Sequence, residues 1–320
     1  MKLCLNNISV HRSQLMGYAI LWIMMLHFTF TQIKPLGFIA QYGFAGVDIF
    51  MMMSGLGLYF SLEKDNNICH FYKKRFIRIF PTYYFIGIFT SIFIYHDNFQ
   101  NYLFRYSTIG FWTGDIFGEW YIPSIVILYI FAPSLKKMFD KKQLPIIVLI
   151  CIVILIASYV IVAKEFVPKY DPHFFFLYRI PAFIFGMICA YWIRNCVSPR
   201  FFLYLIFAGI PIFILLFPNH HYNYNYKYLS LLFLLPAFTI IFLYISKLIH
   251  WTNPIIAKLG NASLEIYLIQ GIFSTAIFDN KLILPDNLHD ILAIFLIITS
   301  SIMGIAFHWL IDKIGINRLV

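Results

Sequence analysis

The chain alternates long apolar runs with short polar segments that carry most of its cations. Ten apolar runs lie near 14–33, 36–62, 79–95, 120–135, 144–163, 176–193, 201–217, 228–247, 261–278 and 290–311. A helix needs about 20 largely apolar residues to cross a bilayer, and each run is near that length. The pattern therefore predicts an all-α fold, a polytopic membrane bundle of about ten transmembrane helices. No stretch between runs exceeds about 25 residues, too short for a separate core, so residues 1–320 are expected to form a single transmembrane domain. The second and ninth runs are interrupted by polar residues and glycine, which in membrane proteins commonly mark function.

Composition agrees. Hydrophobic residues make up 61% of the 320 positions and charged residues 12%, against roughly a quarter charged in a soluble domain. A soluble globule is excluded. Lys plus Arg number 24 against 14 acids, a net charge of +10. With the N-terminus placed inside, seventeen of the 24 cations fall on inner segments and seven on outer ones. Basic loops stay cytoplasmic, so both termini are expected in the cytoplasm. The five cysteines (Cys4, Cys69, Cys151, Cys189 and Cys196) show no CxxC spacing, which argues against a disulfide framework or zinc site, and no metal is expected. Residues 1–12 are polar and no small-residue cleavage site follows, so no cleavable signal is expected. No GxxxxGK[ST] loop is present to power transport with ATP. The tract from His220 to Tyr226 falls at an expected outer interface, where tyrosines are enriched.

Ionisable groups inside spans are costly and call for a reason. His27 lies about 20 Å along the first helix. A neutral imidazole can act as a general base towards an alcohol, or simply hydrogen-bond a neighbouring helix. Asp48, in Gly46-Val-Asp48-Ile-Phe, falls at a depth from which it could orient His27 as a triad acid does. It could equally cap a broken helix or pair with a cation elsewhere. Gly43, Gly46, Ser54 and Gly55 permit close helix contact. Arg75 and Arg78 share a helix face within Lys73-Lys74-Arg75-Phe-Ile-Arg78. Their planar forks suit phosphate oxygens, although positive-inside anchoring explains such a run as well. Glu119, Trp120 and Tyr121 combine an acceptor, a flat ring and a hydroxyl suited to sugar, and are also ordinary interface residues.

Taken in order, His27, GVDIF…SG at 46–55, RFIR at 75–78, EWYIPSIVILY at 119–129, YRIPAFIFG at 178–186 and LGNASLEIYLIQ at 259–270 resemble the membrane-bound acyltransferase family 3 over about residues 12–312. The resemblance implies transfer of an acyl group, usually acetyl from acetyl-CoA, to a hydroxyl of a surface glycan or its lipid-linked precursor. It implies a multi-pass protein of a bacterial cytoplasmic membrane. It also implies His27 as catalytic base, Arg75 and Arg78 near the acetyl-CoA, and Trp120 and Arg179 near the active cavity. Two positions depart from the pattern. Met16 stands where an arginine is usual, with Arg12 one turn earlier, and Gln270 stands where a histidine is usual. Glutamine hydrogen-bonds but cannot exchange a proton at neutral pH, which places more weight on His27. The competing class is a glycan or small-solute exporter in which His27 and Asp48 form a proton relay.

Overall fold

The computed structural model describes residues 4–113, 120–164, 172–221, 225–278 and 286–314. Among these the regular structure is entirely helical. The bundle is built by α1 (Arg12–Phe28), α2 (Phe44–Lys64), α3 (Ile68–Thr90), α4 (Tyr121–Asp140), α5 (Leu144–Ala163), α6 (Pro172–Arg194), α7 (Arg200–Leu216), α8 (Asn225–Leu232), α9 (Leu235–Leu248), α10 (Asn253–Asn261), α11 (Ser263–Phe278) and α12 (Asp286–Ile314). Seven of the described helices are long and apolar enough to cross a membrane, or up to eight if the bent pair α8–α9 is one span. The chain is therefore a multi-pass membrane protein.

Every expected apolar run holds a helix, but the boundaries differ in ways that matter. The first run ends at Phe28, where Thr29 adopts φ 47° and breaks the helix. Residues 34–40 form a separate short helix, so the second span begins only at Phe44. The third span begins at Ile68, which places Arg75 and Arg78 inside a helix. The eighth run is bent by 64° between α8 and α9. Pro236 sits in the first turn of α9, where its missing N–H is harmless to a new helix but could not continue an old one. At 17 and 16 residues, α1 and α11 fall short of a full span.

Helix α2 is the axis of the bundle. Of its span 83% is buried, against 17% for α5 and 11% for α7, which form the apolar outer wall. Two glycine contacts let α2 and α6 touch backbone to backbone. A Cβ added at Gly55 would lie 2.0 Å from the Phe183 carbonyl oxygen, and one at Gly186 would lie 1.9 Å from that of Met52. On its other side α2 meets α1, where Gly43 faces Trp22 and Leu26, and Gly46 faces Ala19 and Ile23. Numbers rise along α2 as they fall along α1, so the pair is antiparallel. Small residues where neighbouring backbones meet are how helices associate without a hydrophobic drive between them.

Candidate active site

Successive residues turn by 100° about a helix, so α2 presents different residues to each neighbour. Gly43 and Gly46 face α1. Asp48 lies 200° round from Gly46 and points with Met52 and Gly55 towards α6. There it forms an ion pair with Arg179, the acid fully buried and the guanidinium nearly so. Arg179 Nη2 also donates to the Phe44 carbonyl at 3.4 Å, and its plane stands 6.0 Å from the Trp120 ring. Trp120 packs edge-on against Phe175, with ring centroids 5.4 Å apart. Asp48 Oδ2 and Arg179 Nε are buried without partners among the described residues. Asp48, Trp120 and Arg179 are thus brought together, and of the readings open for Asp48 the structure shows pairing with a cation on another helix, Arg179, and not with His27. The helical turn accounts for this, because the face of α2 that meets α1 does not carry Asp48. Glu119 lies outside the described residues.

A cavity of about 230 Å³ opens among α1, α2, α3, α4 and α11. Arg12, Arg75 and Arg78 line one end. Ile23, Val47 and Tyr121 line the other, and Ser54, Tyr129, Ser263 and Tyr267 lie along its walls. Arg12 to Ile23 is eleven residues, about 16 Å of helix rise. Arg75 Nη2 donates to Ser61 Oγ at 2.8 Å while its Nε is buried and unpartnered. Arg12 Nε donates to the Met53 carbonyl at 3.3 Å, and its guanidinium lies over Gly57, where a Cβ would sit 3.1 Å from Nη2. Arg78 differs from both. Its Nη1 donates to Glu265 Oε1 at 2.6 Å, and its Nη2 to Glu265 Oε2 at 3.4 Å and the Asn261 carbonyl at 3.1 Å. Glu265, fully buried, also meets His308 Nδ1 at 3.2 Å. Arg78 is therefore largely engaged, whereas Arg12 and Arg75 keep free N–H capacity. No carboxylate lines the cavity among the described residues, which leaves that end positively charged and suited to an anion.

His27 and Gln270 do not line the cavity, yet both continue its walls. Arg12, Met16, Ile23 and His27 fall within about 60° on α1, and Ser263, Tyr267 and Gln270 share a similar arc on α11. His27 is one turn beyond Ile23 and Gln270 just under one turn beyond Tyr267. The two helices run in the same direction, since α10 returns antiparallel along α1 before α11 begins. His27 is half-buried and makes no hydrogen bond among the described residues. Gln270 is fully buried and both its amide atoms lack partners among the described residues. A described structure ordinarily leaves few such groups unsatisfied.

A family model described as an acyltransferase domain matches residues 15–311. The chain belongs to this acyltransferase family. The acyltransferase is also 26% identical over 189 residues to a protein of Acidianus two-tailed virus named "Putative acetyltransferase ORF330", covering 53% of this chain and 52% of that relative. It thus spans about half the length of the curated relative it matches. No solved structure matches it.

Arg12 and Met16, one turn apart on α1, both line the cavity. The roles of Glu265 and Asp290 were not visible. Glu265 lies 187 residues from its partner Arg78. Asp290 accepts hydrogen bonds from the backbone N–H groups of Thr31, Gln32 and Ile33 at 2.8, 3.1 and 2.6 Å, fastening the segment that follows His27. No spacing in the sequence signals either pairing.

Proposed function

We propose that this membrane acyltransferase moves an acyl group, acetyl from acetyl-CoA, to a hydroxyl of a surface polysaccharide or its lipid-linked precursor. The carrying observation is the cavity with unneutralised arginines at one end and the His27 and Gln270 faces just beyond the other. In this reading acetyl-CoA enters from the cytoplasm. Arg12 and Arg75 take its phosphates, with Arg78 as a fixed neighbour, and the slender pantetheine arm extends along the cavity. The thioester then lies beside His27. The imidazole takes the proton of the acceptor hydroxyl, and the oxygen attacks the thioester carbonyl. The C–S bond breaks, the ester forms, and the proton passes to the departing thiolate. Gln270 is placed to donate an amide N–H to the carbonyl oxygen as charge gathers there. Trp120 and the Asp48–Arg179 pair lie on the acceptor's side, where an aromatic face and charged groups suit a sugar.

The test compares wild type with His27→Ala at equal membrane level, scoring acetylation of the surface glycan by mass spectrometry. Loss of the acetyl increments is expected, and their persistence would remove His27 from the mechanism. Transfer of labelled acetyl by purified protein without a membrane potential separates this activity from export.

A further inference from the structure

A second cavity, about 360 Å³ in volume, lies away from the first among α5, α6, α7 and the bend between α8 and α9. On α6 its wall is the stripe Pro181, Phe185, Ile188 and Trp192, which spans about 16 Å. That length matches half of the roughly 30 Å hydrocarbon core. The lining residues are apolar almost throughout, so water has nothing to bond there. The groove also opens outward, since Val148 and Leu205 are 39% and 38% exposed on the two helices most open to the surroundings.

One end of the groove is basic. Leu144 lines it and directly follows Lys141, Lys142 and Gln143. Leu205 lines it five residues after Arg200 opens α7, and Trp192 lines it near the end of α6. Lys141, Lys142 and Arg200 are exposed and form no ion pair among the described residues. The nearby Arg194 is already occupied by Glu63 at 2.6 Å and Asp140 at 3.8 Å. An apolar groove whose end lies beside chain segments bearing three exposed cations, none in an ion pair among the described residues, complements an anionic amphiphile. We propose that it holds one anionic phospholipid, with a hydrocarbon chain along α6 and the phosphate at Lys141, Lys142 and Arg200. A zwitterionic lipid would leave these cations uncompensated. This site is independent of the acyl-transfer reading.

The experiment uses the full chain purified in detergent and offered phosphatidylglycerol or phosphatidylcholine with identical chains, with retained lipid counted by native mass spectrometry. Wild type is expected to retain one phosphatidylglycerol with roughly tenfold preference. Lys141→Gln with Lys142→Gln and Arg200→Gln should bring that preference to parity while a chain still binds. Ala208→Trp, on the exposed wall of the groove, should reduce retention of both lipids at least fivefold, and Leu205→Trp provides the same obstruction should the first variant misfold. Equal retention of the two lipids by wild type, unchanged preference in the cation variant, or full retention by a folded tryptophan variant would each overturn the proposal.

Discussion

Asp48 on α2 and Arg179 on α6, 131 residues apart in sequence, form an ion pair buried from solvent at the centre of the bundle. Removing one partner of such a pair strands the other charge in a low-dielectric setting, at a cost of about 3–5 kcal/mol. Arg179→Met alone, or Asp48→Leu alone, should therefore lower the melting temperature sharply. The double variant Asp48→Leu/Arg179→Met should recover most of that loss, because neither charge is left behind. Thermal unfolding of all four forms in one detergent measures the coupling, and additive losses would mean that the pair does not interact.

The three arginines of the cavity should separate by kinetics. Arg12→Gln and Arg75→Gln are each expected to raise KM for acetyl-CoA about tenfold with little change in kcat, the signature of lost ground-state binding. Arg78→Gln leaves Glu265 buried with His308 as its remaining partner among the described residues, so its main effect should fall on the melting temperature. Steady-state kinetics beside unfolding curves distinguishes the two patterns.

Gln270 should display a conflict between stability and activity. Its two amide atoms are buried without partners, and replacing such a group by an apolar one of similar size recovers about 1–3 kcal/mol. Gln270→Leu is expected to melt higher than wild type yet to lose at least tenfold in kcat, measured on the same preparation. A stable variant with full activity would remove Gln270 from the transition state.

Much of the fold was legible because bilayers demand apolar helices, and the ten runs each hold a helix, although only seven, or up to eight, of the described helices are long enough to span. The breaks were not. Nothing in the composition of 29–43 distinguishes a helix that stops at Phe28 and restarts at Phe44 from one long hairpin, since the break depends on the backbone of Thr29 and on Asp290 more than 250 residues away. The site divides in the same way. Intramembrane polar residues announce themselves by cost, which is how His27 and Asp48 drew notice, whereas Arg179 entered only through the family resemblance. Their partners are fixed by helix rotation and by which helices become neighbours, and short-range patterns carry neither.

Asp290 is expected to act on His27 through the backbone it holds. Asp290→Ala removes the acceptor of three N–H groups, whereas Asp290→Asn preserves one amide oxygen. Activity should fall in the order wild type, Asn, Ala, with the deficit in kcat rather than KM, while the Asn variant keeps a near-native melting temperature.

At a surface loop, Asp97 accepts from Arg105 Nε at 2.8 Å and Ser91 Oγ at 3.0 Å. Burial pushes its carboxyl upward, but the hydrogen bonds from Arg105 and Ser91 and the guanidinium charge together prevail and hold it below the ordinary value of 3.8. A depressed folded value stabilises above the unfolded one and is lost as pH falls through it. Melting temperatures recorded from pH 6 downward should therefore drop more steeply below pH 4 in wild type than in Asp97→Asn.

The rotation that gives α2 two working faces also bears on how the chain can change over time. One residue inserted between Gly46 and Asp48 would swing everything beyond it by 100°, taking Asp48 off Arg179 and Gly55 off Phe183 together. Insertions and deletions should thus be purged from residues 43–55 while the peripheral segments drift in length.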